Sequence, residues 1–233
     1  MIERVLFRGE GLLAVDKPAG MLVVPGRSPG GGRSLRELLE DELGSRLWVV
    51  HRLDRDTSGV LLVALDARSH RAASLAFERG QVRKTYLALV APPLEVPRLV
   101  AHALLPARRG RMRLAGPGEG GKQARTRLRP VEVHPLGGLV EAEPLTGRTH
   151  QIRLHLQAAG SPLFVDPQYG RPEPASEASL GGRGEAIVLG RTPLHAARLV
   201  LPPGLGLPAV DVGSPLPADM QRALELLRGR AQA

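Results

Sequence analysis

The chain has 233 residues, of which 42% are hydrophobic and only 3% aromatic, so a core can form but must be built from Leu, Val and Ala. Cys is absent, which excludes disulfides and thiolate metal sites. Thirty-two Lys and Arg stand against 23 acids, a net charge of +9 that favours a polyanionic partner, although solubility, a GC-rich genome or a hot habitat would produce a similar surplus. There is no apolar run of about 18 residues to cross a membrane, and the start MIERVLFRGEG lacks a secretory signal pattern. A cytoplasmic globular protein is expected.

In chain order, Leu12–Asp16 and Met21–Val24 read as short strands joined by the turn-forming Lys17-Pro-Ala-Gly20. A Gly-rich loop spans Gly26 to Gly32. Ser34-Leu-Arg-Glu37 then fits a capping box opening a helix to about Leu43. Trp48–Val50 and Val60–Val63 are apolar runs that predict two buried strands. Residues 67 to 79 predict a helix ending at Gly80, and Lys84–Val90 another strand.

Further strands are expected near Leu99 to Leu105, Arg125 to Val133 and Leu139 to Glu143. Thr149 to Ala159 predicts a helix stopped by Gly160, and a last helix runs from about Ala218 to Arg228. Residues 170 to 190, rich in Gly, Pro, Ser and Glu, read as a surface loop or insertion. Many strands with few helices predict an α+β fold around a mixed, mainly antiparallel central sheet. With no internal repeat, residues 1–233 read as a single domain.

Three groups of residues could do chemistry. Asp54 lies in His51-Arg-Leu-Asp-Arg-Asp-Thr-Ser-Gly59, between two apolar strands that would hold the loop rigidly. Arg52 and Arg55 bracket it. Polar residues in such a loop are most often turn formers, so the pattern by itself leaves both readings open.

Gly147-Arg-Thr-His-Gln-Ile-Arg-Leu-His155 is the second group. At about 100° per residue, Ile152, Leu156 and Ala159 face the core while His150, Arg153 and Gln157 share another face. That face reads equally as solvated surface. His150 and His155 lie on different faces, which argues against a shared metal ion. Tyr86 is the third candidate, one of two tyrosines in the chain.

The basic surplus concentrates between Arg98 and Arg129, where nine Lys and Arg meet only Glu119. Of these, Arg108, Arg109, Arg111, Arg113 and Arg125 suit bidentate contact with phosphate. No P-loop ending, nucleophile elbow or dinucleotide fingerprint is present, so ATP, NAD and serine-hydrolase readings drop out.

Taken in order, Asp16-Lys-Pro-Ala-Gly20, the nine residues around Asp54, Lys84-Thr-Tyr86 and Gly147–Arg153 resemble the RluA-type pseudouridine synthases. Leu194-His-Ala196 and Pro215-Leu-Pro217 resemble the family's closing segments, and the likeness runs from about residue 5 to 225. It implies the pseudouridine synthase fold, an RNA-binding cleft and an isomerase that needs no cofactor and no metal. It implies that Asp54 attacks a uridine at its sugar or its base, that Tyr86 lines the base and helps remove its C5 proton, and that Arg153 pairs with Asp54 and aims it.

By the same resemblance Arg52 fills the space left by a flipped nucleotide. Arg55, Arg148, His150 and Gln151 join the basic segment as RNA contacts. The partner is then a structured ribosomal or transfer RNA with a loop uridine, because flipping costs least in a loop. No protein partner is evident and a monomer is expected. No N-terminal RNA-binding module is expected ahead of the catalytic domain. One departure stands out: the family's Gly-Asp pair is replaced by Phe164-Val-Asp166 before Pro167-Gln-Tyr-Gly170. The competing reading is a non-catalytic RNA-binding protein that kept the fold, and a deaminase is excluded by the missing Cys ligands.

Overall fold

The computed structural model describes residues 5–26 and 32–229, apart from the Arg109 side chain. Strands β1 (Val5–Gly9) and β2 (Leu12–Lys17) are followed by α1 (Leu35–Leu43), β3 (Trp48–Val49), β4 (Ser58–Ala64) and α2 (Ala67–Glu78). Next come β5 (Arg83–Val90), β6 (Arg98–Ala101), β7 (Leu104–Pro106) and β8 (Met112–Leu114). Then β9 (Arg125–His134) and β10 (Gly137–Pro144) precede α3 (Gln151–Ala158). The last elements are β11 (Ala175–Ser176), β12 (Ile187–Leu189), β13 (Leu194–Leu201), β14 (Val210–Gly213) and α4 (Ala218–Gly229). The class is α+β, with mainly antiparallel pairing, as the strand-rich sequence predicted.

Contacts divide the chain into two compact units, which composition did not mark. One is Met1–Lys84 with Ala196–Pro215, the other Thr85–His195 with Leu216–Ala233.

In the first unit β1, β2, β4 and β13 lie in that order, with β3 beside β4 and β14 beside β13. The β1–β2 hairpin turns on Glu10 and Gly11, both at positive φ, the conformation a two-residue turn needs. Every residue of β4 is buried, which is why Val60–Val63 reads as a continuous apolar run. Asp66 caps α2 by accepting from the Ser69 N–H. The helix sets Ala73 and Ala76 against Leu12, Ala14, Val60 and Leu62, small side chains that let it close on the sheet.

The capping box at Ser34 and Glu37 forms as expected. Met21–Val24 does not become a strand. Its Leu22 and Val23 carbonyls instead accept from the Leu35 and Arg36 N–H groups at 2.8 and 3.1 Å, satisfying the first turn of α1. Most of the Gly-rich loop, residues 27–31, lies outside the described residues.

In the second unit β5, β10, β9 and β6 are adjacent and antiparallel. The expected strand near Leu99 to Leu105 splits into β6 and β7, which belong to different sheets. The fully buried Leu104 accounts for the break, because its backbone is claimed by Lys122 and Leu114 rather than by β9. Residues 170–190 carry β11 and β12, and they place Ala175, Leu180 and Leu189 in a core with Met220, Ala223 and Leu224 of α4. Sparse apolar residues among Gly, Pro and Ser are thus enough to anchor this stretch. Helix α3 begins at Gln151, two residues later than expected, because His150 is left-handed at φ 55°.

Candidate active site

The acid loop belongs to the first unit. It leaves the β3 region and returns as β4, whose residue Gly59 pairs with Lys17 of β2. Gly59 has φ 107°, and a Cβ there would lie 2.3 Å from the Ala196 carbonyl oxygen, so no other residue fits. Asp54 is half-buried in this loop, and its carbonyl accepts from the Thr57 N–H at 3.2 Å. Arg52 and Arg55 are exposed, and Arg55 Nε donates to the Gly20 carbonyl at 3.1 Å.

Lys17 was missed from sequence and explains how this loop is held. Its side chain is fully buried, and Nζ lies 2.7 Å from the Pro18 carbonyl, 2.7 Å from Met21 and 2.9 Å from Arg55. A protonated amine has three N–H groups, and here three carbonyls lie within their reach. The residue next to Asp54 is thereby tied to the Lys17-Pro-Ala-Gly20 turn. The available signal was a cation ending a mostly apolar strand, since a buried charge has to find partners.

His51, the first residue of the motif, accepts the Leu62 N–H on Nε2 at 2.9 Å and stacks on Phe77 at 4.6 Å. Surface area marks the residue as half-buried, but the ring is packed deep enough to lose its hydration. Burial, and then the Lys84 charge, pull its pKa down to about 3 from 6.5. The unfolded chain therefore takes up this proton first. Stability that is complete above pH 6.5 falls as pH drops towards 3, by about 1 to 2 kcal/mol between pH 6.5 and 5 from this group. Urea unfolding at pH 7 and pH 5 should show that loss in the native chain and a smaller one in His51→Gln. Equal losses in both would remove His51 as the cause.

The remaining predicted residues belong to the second unit. Tyr86 sits on β5 opposite Ala142 of β10 and is almost buried. Helix α3 is covered nearly all round, so Arg153 does not stand on a solvated face. It is 7% exposed, and its Nε and Nη2 donate to the two oxygens of Asp166 at 2.8 and 2.6 Å. Burial pushes the Asp166 pKa up, but the Arg153 bond and charge and two backbone N–H groups outweigh it and leave it lowered. The Arg153 guanidinium lies 4.9 Å over the Tyr169 ring. The Tyr169 hydroxyl accepts from the Met112 N–H at 2.8 Å and lies within hydrogen-bond distance of His150 Nδ1 at 2.7 Å.

Gln151, expected among the RNA contacts, is instead buried with its amide engaged at four points. It donates to the Arg125 carbonyl and Thr126 hydroxyl and accepts from Thr146 and the Arg148 N–H. It braces the loop that presents Arg148, which is exposed and donates to the Gln123 carbonyl at 3.2 Å. His155 uses both ring nitrogens on Thr126 and the His102 carbonyl, in keeping with the argument against a shared ion with His150.

The basic segment is less one-sided in space than in sequence. Register places Glu143 opposite Arg127 and Glu141 opposite Arg129, and both pairs close at 3.0 Å. Arg113 clasps Glu119, whose pKa falls to about 2 through that bond. Arg108, Arg111 and Arg125 are exposed, and the Arg109 side chain lies outside what is described.

A family model described as RNA pseudouridylate synthase matches residues 11–158. The chain is 37% identical to the ribosomal large subunit pseudouridine synthase D of Nitrosomonas europaea, over 97% of its own length and 65% of that protein's. It is 35% identical to the ribosomal large subunit pseudouridine synthase C of Escherichia coli, over 96% of this chain and 70% of that one. Among solved structures it is similar to human RNA pseudouridylate synthase domain containing 1, with a TM-score of 0.72 and 26% identity, covering 98% of this chain and 96% of that one. The chain thus spans about two thirds of the length of these bacterial relatives. It belongs to the RNA pseudouridylate synthase family, as its RluA-type motifs implied.

Proposed function

We propose that this protein is an RNA pseudouridine synthase that isomerises uridine in ribosomal RNA of the large subunit, with Asp54 as its catalytic carboxylate. The observation that supports this most is the anchoring of the Asp54 loop. Gly59, His51 and Lys17 each tie it to buried backbone, a rigidity that a solvated turn does not need. In this reading Asp54 attacks the sugar or the base and the bond from N1 to the sugar breaks. The freed uracil turns, C5 bonds to the same sugar carbon, the bond that Asp54 made breaks to restore its carboxylate, and the C5 proton is lost with the help of Tyr86 while N1 gains one. Atoms and electrons balance within the nucleoside. Arg153 aims Asp54, and Arg52 takes the place of the flipped nucleotide.

Arg108, Arg109, Arg111, Arg113, Arg125 and Arg148 are proposed to grip phosphate around the target. His150 joins them. Its Nδ1 lies 2.7 Å from the Tyr169 hydroxyl, a contact that holds the ring in place. The protein would work in the cytoplasm, where these RNAs are made.

Incubating the purified chain with unmodified transcripts of large-subunit ribosomal RNA and of transfer RNAs, then mapping pseudouridine chemically, tests the proposal. New pseudouridine at one or a few positions of the ribosomal transcript is the expected result. Modification confined to transfer RNA would change the substrate class. Binding without any modification would favour the non-catalytic reading.

A further inference from the structure

We infer that Asp166 is the positioning residue for Arg153, fixing the plane and direction of its guanidinium. This rests on the reading of Arg153 proposed above and deepens it. The pair is buried on both sides, with Asp166 only 1% exposed. Two charges removed from water at such depth are poor value as stability alone, since apolar residues of similar volume often serve as well. What the pair supplies is geometry.

Asp166 cannot drift. Its Oδ1 accepts from the Gln168 and Tyr169 N–H groups at 2.9 and 3.1 Å, its N–H donates to the Arg171 carbonyl, and its own carbonyl accepts from Gly170. The turn Pro167-Gln-Tyr-Gly170 is therefore built on this one carboxylate, and the carboxylate in turn grips Arg153 along the Nε and Nη2 edge. Gln168 Oε1 takes a further Nη2 proton at 3.2 Å, and the Tyr169 ring lies against the guanidinium face. Tyr169 is itself pinned at its hydroxyl by Met112 and His150.

Of the five N–H groups on an arginine, these contacts claim the one on Nε and the two on Nη2. The plane and direction of the guanidinium are thereby set by Asp166.

The test uses the full chain, single-turnover pseudouridine formation and RNA affinity. Asp166→Asn keeps an acceptor for the two backbone N–H groups but loses the charge and half of the bidentate grip. We expect it to slow the bound reaction roughly tenfold or more, because small misplacements of a catalytic group are that costly, with RNA affinity within about threefold of the native chain. Gln168→Leu should slow it less, by roughly threefold. Combined with Arg153→Lys, Asp166→Asn should add no further loss, which a merely structural role would not produce.

Native rates for bound Asp166→Asn would overturn the inference, as would a loss that follows RNA affinity alone. Should Asp166→Asn fail to fold, Gln168→Leu decides by the same readout, and a native rate there overturns the inference. Full activity of Arg153→Lys and Arg153→Ala would instead sink the reading of Arg153 itself. A loss in those two variants beside native rates at Asp166 and Gln168 would sink only the present inference.

Discussion

Asp54→Asn is expected to lose pseudouridine formation by at least about a thousandfold while binding RNA with nearly native affinity, the pattern of a removed nucleophile. The substitution changes one oxygen to an amide nitrogen and leaves the loop otherwise as it is. The anchors at Gly59, His51 and Lys17 do not involve the carboxylate. Release of tritium from C5-labelled uridine reads the chemistry, and filter binding reads the affinity. Native turnover by this variant would refute the assignment of Asp54. Joint loss of turnover and binding would make the residue a contact for RNA instead.

Lys17→Met should be the most destabilising change in the first unit. The thioether matches the length of the stem but offers nothing to the Pro18, Met21 and Arg55 carbonyls that Nζ now serves. Each carbonyl left without its donor costs about 1 to 3 kcal/mol, so the sum is roughly 3 to 5 kcal/mol after water reaches the outermost. Set against a total stability of about 5 to 15 kcal/mol, that is enough to shift the unfolding midpoint sharply. Urea denaturation followed by Trp48 fluorescence measures it directly. The folded fraction should also turn over slowly, because the residue beside Asp54 has lost its tether. A change under about 1 kcal/mol would show that water replaces the ammonium without penalty.

How far the sequence could be read differs between the two kinds of residue at the site. Asp54, Tyr86 and Arg153, the proposed catalytic residues, were read from motifs, because each lies in a short string of fixed order. Their holders were not. Lys17 ends a strand and Asp166 ends an apolar run, so each looks locally like a strand terminus. The Arg55 carbonyl that Lys17 holds lies 38 residues away in the chain, and Arg153 lies 13 from Asp166. Gln151 was read as an RNA contact from the family resemblance, and a motif does not show which of its residues the fold covers. The arginines of β9 looked unopposed, since Glu141 and Glu143 stand across the ladder rather than beside them in the chain.

By itself the sequence determined the α+β class, most elements, the Ser34 capping box and the segments that carry the family's chemistry. These depend on neighbours within a few residues, where periodicity, capping and turn chemistry act directly. Tertiary structure alone decided that Met21–Val24 caps a helix instead of pairing, that residues 170–190 contribute to a core, and which buried charges hold Asp54's loop and Arg153. A backbone carbonyl or a buried carboxylate has no preference written into its own stretch of chain. Its partner is whichever donor the fold brings within about 3 Å once water has been excluded.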